Sequence, residues 1–491
     1  MLLFFRDGYF PVAVILTFFL STHVMADEQQ GIDAVLLMDS SGSMKHTDPQ
    51  DLRKPAAKLF ISLLRDDDRV GVVTFSESAL ILMPLTGTKQ PAKENKDLMV
   101  AVDAVDSRGP YTNLQEAIKT GFEILSNSQK NEKLLILMSD GKMDVGDALK
   151  DEALISALTT STLPALAKAG IKIHTIAFTE GSDQALLRNI AHKTGGTYRL
   201  AKTGKDLHLV FASFFELIKS PDTLPVQDNG FTVDKEVREM TVLITKKTPQ
   251  AAVIVTSPAG RSYRLRKHPD EVRWFDSPLF SMVTVRRPQP GGWTIQFSSG
   301  ASDKVYVITD LKLISSIARN VVAPGETITI EARLEKDGRA ITTKELLEQV
   351  KLLAKVTTSD NRNLELTLVD DGTNGDIVTG DGIYTVRFLA DQPADYSVRI
   401  VAEAETFVRE KTVFVQAVQP VVAVQRVGPP SSTATATIER VVHVREGEAV
   451  NWGVVVIKFM TINIVVALLI VAGYFMKRAI SRKKRKAPDA H

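Results

Sequence analysis

Three oxygen-bearing side chains stand at alternate positions in Asp39-Ser40-Ser41-Gly42-Ser43. A carboxylate and two hydroxyls at a strand end can hold a hard divalent cation, because the hydroxyls leave its charge partly uncompensated. The same residues serve equally as helix N-caps, since Ser and Asp accept from the free N–H groups of a first turn. A second acid, Asp140, closes the apolar run 133–139 in the same manner. A third set lies in 370–382, where Asp370, Asp371, Asn374, Asp376 and Asp381 alternate with glycines. Those five offer oxygens to calcium, although the segment lacks the glutamate and spacing of an EF-hand. Asp-Gly and Asn-Gly turns account for the composition equally well.

Other chemistries find little support. The chain has 0 Cys, so thiolate metal sites, cysteine nucleophiles and disulfides are excluded. No Gly-x-Ser-x-Gly, Walker A or paired-histidine motif occurs, and the 8 histidines are scattered. His174 sits inside an apolar run and reads as a core or edge residue. A net charge of +2 supplies no global field for nucleic acid. The expectation is a binding protein and no enzyme; a hydrolase working through a bound metal is the weaker alternative.

The elements that must position the oxygens follow from hydrophobic patterning. The segment from Asp33 to Asp39 carries no charge between its ends, as a strand buried on both faces requires. Further strands are predicted over 69–75, 79–83, 133–139, 172–178 and 197–200. Helices are predicted over 52–64, 93–105, 112–125, 153–169, 185–193 and 207–218. That alternation over 27–222 predicts a doubly wound, mostly parallel α/β domain. Short strands between Gly/Pro turns then predict two Ig-like β-sandwiches, 223–310 and 311–418, followed by a stalk over 419–452.

Asp39-x-Ser41-x-Ser43 resembles the opening of the metal-ion-dependent adhesion site of von Willebrand factor type A domains. The matching later positions are Thr112, in Gly109-Pro110-Tyr111-Thr112, and Asp140, in Met138-Ser139-Asp140-Gly141. The resemblance covers about 190 residues in the family's element order. It implies that Ser41, Ser43 and Thr112 contact Mg²⁺ (or Mn²⁺ or Ca²⁺), with Asp39 and Asp140 acting largely through water. It also implies that an acidic residue of a protein partner completes the coordination. The family often has glycine just before the threonine, where this chain has Pro110-Tyr111; the aromatic ring either shapes the ligand face or packs away from it. The Asp-rich segment resembles hairpin loops in sandwich domains of bacterial surface proteins. Similar loops occur in calcium-activated chloride channel regulators, whose His-Glu-x-x-His metalloprotease motif has no match here.

The two ends predict topology. Residues 1–26 combine Arg6, a short apolar core and Val24-Met25-Ala26, the pattern of a signal peptide. Residues 453–476 hold an apolar run of about 18 residues, just long enough to span. The tail 477–491 begins with Lys477 and Arg478 and continues through Arg482, Lys483, Lys484, Arg485 and Lys486, which the positive-inside rule places in the cytoplasm. With no cysteine, an exported chain of this size fits a bacterial inner membrane with its domains in the periplasm. The function expected is membrane-anchored recognition of a partner carboxylate through a divalent metal. The alternative is a regulatory or assembly subunit of a membrane complex, acting through its transmembrane helix and sandwiches.

Overall fold

The computed structural model describes residues 31–88, 95–128, 132–300, 302–317, 320–343 and 347–418. The signal peptide, stalk, transmembrane segment and basic tail expected above lie outside the described residues. Among the described residues no helix is long and apolar enough to cross a membrane.

The first strand, β1 (Ile32–Asp39), is buried at every position, as its unbroken apolar run requires. It lies between β2 (Arg69–Phe75) and β4 (Glu132–Ser139), parallel to both. The edge strand β3 (Ala79–Gly87) pairs antiparallel with β2, and β5 (Ile171–Phe178) and β6 (Tyr198–Ala201) extend the other side in parallel. The order β3-β2-β1-β4-β5-β6 reverses direction at β1, so the carboxyl ends of β1 and β4 open onto one crevice.

Helices cover both faces. The short α1 (Met44–Thr47) follows the Asp39 motif, and α2 (Arg53–Leu63) and α3 (Lys96–Asp103) come next. Then come α4 (Leu114–Ser126), α5 (Ala148–Ala157), α6 (Leu163–Lys168), α7 (Gln184–Lys193) and α8 (Leu207–Lys219). The helix expected over 153–169 starts earlier, because Asp147 accepts from the N–H groups of Leu149 and Lys150 and caps α5. One π turn, Leu158–Thr162, joins α5 to α6.

The β-rich remainder has two separate cores. One holds Phe231, Met240, Val255, Val283 and Trp293, the other Leu313, Ile330, Leu352, Val398 and Val415. Each core lies between two sheets, but one of those sheets is shared. The three-residue strand Asp222–Leu224 pairs with Lys304–Thr309 on one side and, at Thr223, with Glu410 on the other. This strand joins the sheet halves into a single ten-stranded sheet.

The α/β domain is welded to that sheet by α8. Phe211, Phe214 and Phe215 belong to one apolar cluster with Leu243, Phe280, Met282 and Tyr306. Within it the Tyr306 hydroxyl donates to Glu216 Oε1 at 3.0 Å, and His208 stacks on Phe280 with ring centroids 5.4 Å apart. Arg199 reaches further, to Asp395 at 2.8 Å.

Candidate metal centre

Three loops meet at the crevice beyond β1 and β4. Asp39 ends β1 and is fully buried; its Oδ1 accepts from the Ser41 N–H at 2.8 Å and its Oδ2 from the Ser139 hydroxyl at 2.6 Å. That first bond folds the chain back at Gly42, whose N–H donates to Gly109 O at 2.8 Å, while the Gly109 N–H donates to Ser40 O at 2.9 Å. The motif is thereby stitched to the loop that carries Thr112. Asp140 stands one residue beyond the end of β4. Its Oδ1 accepts from Ser43 Oγ at 2.8 Å, and Ser43 Oγ lies 2.9 Å from Ser41 Oγ.

Thr112 completes the rim. Its backbone exchanges two hydrogen bonds with Asp144, at 2.8 and 3.1 Å, which tie it to the loop after β4. Its side chain lies over Gly141, where a Cβ would come within 3.1 Å of Thr112 Oγ1. Glycine at 141 lets the threonine hydroxyl close on the acid's own turn. Asp39, Ser41, Ser43 and Asp140 form one hydrogen-bonded chain with Ser139, and Thr112 packs beside it.

Ser43 starts α1 without any side-chain capping bond, so the hydroxyl is turned to the acids and the capping alternative does not describe it. Two partners escaped the motif reading. Ser139 orients Asp39, and the Thr47 hydroxyl contacts Asp140 Oδ2. Thr47 lies four residues after Ser43, one helical turn along the same face, which is the only sequence signal for it.

The electrostatics suit a cation. Burial is the main cause that pushes the Asp39 carboxyl up to about 6; Asp140 adds to it, while bonds from Ser139 and Ser41 oppose it. Among the described residues neither Asp39 nor Asp140 has a Lys or Arg partner. Two adjacent, buried carboxylates without a counter-charge cost free energy that a divalent ion would offset. The donor set of two carboxylates and three hydroxyls therefore fits Mg²⁺ or a similar hard ion.

The Asp-rich loop separates the strands Asn363–Thr367 and Tyr384–Leu389. It brings Asp370, Asp376 and Asp381 together, with one carboxylate oxygen of each within 4.8 Å of the others. Asp371 instead turns back on Thr373, accepting from its N–H at 2.9 Å and its hydroxyl at 2.6 Å. Asn374 holds a left-handed turn position, with φ 51°. Asp370 accepts from the N–H groups of Gly380 and Gly382 at 2.6 and 2.9 Å, so turn chemistry explains part of the cluster. His174 is a core residue: its Nδ1 accepts from the Thr197 N–H at 3.1 Å, and burial lowers its pKa to about 3.

Comparison with known proteins identifies the α/β unit. Residues 33–212 match the von Willebrand factor type A domain model, so the α/β unit is a type A domain. Residues 217–310 match a hemicentin galactose-binding domain-like model, and 311–411 match the second Ig-like domain of conditioned medium factor. The Ig-like expectation for both sandwiches thus finds its match in the second. Calcium-activated chloride channel regulator 1 of Bos taurus is 23% identical over 407 residues, covering 75% of this chain and 42% of the bovine protein. Regulator 4 of Homo sapiens is 24% identical over 402 residues, covering 75% and 40%. The chain therefore spans about two fifths of the length of these relatives. Among solved structures, a von Willebrand factor type A protein from Catenulispora acidiphila aligns over 64% of each chain, with TM-score 0.33 and 16% identity. Mussel proximal thread matrix protein 1 with a zinc-occupied MIDAS motif aligns over 40% of this chain and 50% of its own, with TM-score 0.31 and 18% identity.

Proposed function

We propose that this chain is a non-enzymatic, membrane-anchored recognition protein that binds a carboxylate of a protein partner through a divalent cation. The observation that carries the proposal is the uncompensated Asp39–Asp140 pair ringed by Ser41, Ser43 and Thr112. A bound Mg²⁺ would supply Lewis acidity toward an incoming carboxylate. The protein's own part is to fix the donors: Ser139 holds Asp39, the Gly109 loop holds Ser41, and Asp144 holds Thr112. Signal-peptide and membrane-span patterns at the two ends, with the absence of cysteine, support an extracytoplasmic location in a bacterial envelope. Calcium in the Asp370–Asp376–Asp381 loop is a secondary part of the proposal, supported by the convergence of those three carboxylates.

A second reading has its own support. Three quarters of the chain aligns with proteins named chloride channel regulators, which favours a regulatory or assembly subunit acting through the sandwiches and the membrane segment. Affinity capture from native membranes with the full chain separates the two. Metal-bridged recognition requires the captured partner to be released by EDTA and restored by Mg²⁺. Recovery indifferent to chelation would leave only the second reading.

The titration of Asp39 gives a further test. Its folded pKa of about 6 lies above the ordinary carboxylate range, so in the metal-free protein it contributes stability at low pH that is lost as pH rises through 6. A cation reverses this, because it binds the ionised form. Saturating MgCl₂ is therefore expected to raise the thermal midpoint more at pH 7.5 than at pH 5. Apparent affinity should weaken about tenfold per pH unit below 6, as one proton competes. His174 and His208, held at about 3 and 4, oppose the trend equally with and without metal and cancel in the difference. An Mg²⁺-induced shift of equal size at both pH values would refute the assignment.

A further inference from the structure

The residue that departs from the family pattern, Tyr111, is half-buried beside the metal centre and forms one wall of a recess. It lies directly over Gly146, where φ is +79° and a Cβ would come within 2.7 Å of the tyrosine hydroxyl and 2.8 Å of the ring. No other residue at 146 would let the ring settle there. The opposite wall comes from α5 and the turn before it: Val145, Ala153 and Leu154, with Lys150 and Glu77 at the rim. The recess is shallow and open to solvent on one side, with a volume of about 380 Å³, room for one large apolar side chain laid against its walls. Val145 is fixed from α5 itself, its N–H donating to Asp151 Oδ1 at 2.8 Å.

Two facts point to a partner. The helix α5 has no buried residue, and Leu149 on it is 80% exposed, one turn before Ala153 on the same face. Apolar surface is thus gathered beside a polar metal site, where a solvated loop would carry none by preference. Secondly, recess and metal centre share one loop: Tyr111 and Asn113 line the recess, while Thr112 between them belongs to the metal rim. The same segment of a partner must therefore cross both.

Resting on the metal-bridged reading above, we propose that the recess walled by Tyr111, Val145 and Leu154 takes an apolar side chain, leucine or phenylalanine, of the same partner segment that presents its carboxylate to the metal. Because recess and metal rim share the 111–113 loop, the apolar residue stands within a few positions of the acid in an extended segment. The carboxylate supplies attachment and the recess supplies the choice among acidic partners. Tyr111 is the main selecting residue, since a tyrosine wall buries large area at little entropic cost.

The test is selection from a phage-displayed random peptide library in MgCl₂ with elution by EDTA. Wild type is expected to enrich an Asp or Glu together with a Leu or Phe at one fixed spacing of a few residues. Replacing the apolar residue of a selected peptide by alanine should weaken binding about tenfold or more. Ala153→Phe fills the recess from an exposed helix position, and Leu154→Lys charges its wall. Both should lose the apolar preference while the acidic one persists. Acidic enrichment with no apolar preference, or an unchanged preference in both variants, would overturn the recess and leave the metal reading standing. No EDTA-sensitive acidic enrichment at all would remove the metal reading, and the recess with it.

Discussion

Ser43→Ala is expected to abolish Mg²⁺ binding while leaving the metal-free protein nearly as stable as wild type. The two effects separate because of where the hydroxyl sits. Ser43 is exposed and starts α1 without a capping bond, so its removal leaves no helix N–H deprived of a partner. What it loses are the contacts to Asp140 Oδ1 at 2.8 Å and Ser41 Oγ at 2.9 Å, and Asp140 keeps the Thr47 hydroxyl on its other oxygen. Losing a hydrogen bond of this kind changes stability by about 1 kcal/mol, small beside a domain's margin of about 5–15 kcal/mol. For the cation, one of three neutral donors disappears. Changes merely adjacent to metal ligands cost about tenfold to a hundredfold in affinity, and a donor itself should cost at least the upper figure. Isothermal titration with MgCl₂, alongside thermal melts in EDTA, reads both quantities. Retained Mg²⁺ affinity would sink the assignment of Ser43 as a ligand. A large loss of stability in EDTA would instead restore a structural role for the motif.

Legibility in the sequence tracked how local each signal was. β1 was visible because a strand buried on both faces needs an unbroken apolar run, and 34–38 is one. Asp39, Ser41 and Ser43 were visible as a group because their spacing is short. Thr112 and Asp140 carried no local mark that joins them to Ser43, and only resemblance placed them on one rim. The sheet shared by the two sandwiches was illegible for the same reason. Its link, Asp222–Leu224, is a three-residue strand directly after Pro221, and it finds partners near 305 and 410. A pairing over that distance leaves no periodicity in a three-residue segment. Tyr111 was ambiguous until Gly146 appeared beneath it, since the contact depends on two loops meeting.

Arg53 carries no mark in the sequence beyond its place in the helix expected over 52–64, yet its removal is expected to be the most damaging single change near the site. Its side chain is fully buried at the start of α2. Nη1 donates to Asp48 Oδ2 at 2.9 Å and lies 3.1 Å from Asp51 Oδ1, while Nη2 donates to Asp106 O at 2.9 Å and Ser107 Oγ at 2.8 Å. Those last two bonds anchor the loop that ends at Gly109, the residue paired with Ser40 and Gly42 behind the metal motif. Arg53→Ala would leave the Asp48 carboxylate buried without its cation, and such breakage costs about 3–5 kcal/mol. That is a large share of a domain's usual margin of about 5–15 kcal/mol. Mg²⁺ affinity should fall as well, several-fold, because the 106–109 loop loses two tethers while every ligand remains. Combining Asp48→Asn with Arg53→Met removes both charges and keeps most of the volume. The double variant should therefore cost clearly less than the sum of the two single changes. Chemical denaturation of wild type, Asp48→Asn, Arg53→Met and the double variant measures the coupling, and Arg53→Ala beside them measures the clamp. Simple additivity, or a loss below about 1 kcal/mol for Arg53→Ala, would show that the clamp does not hold the rim.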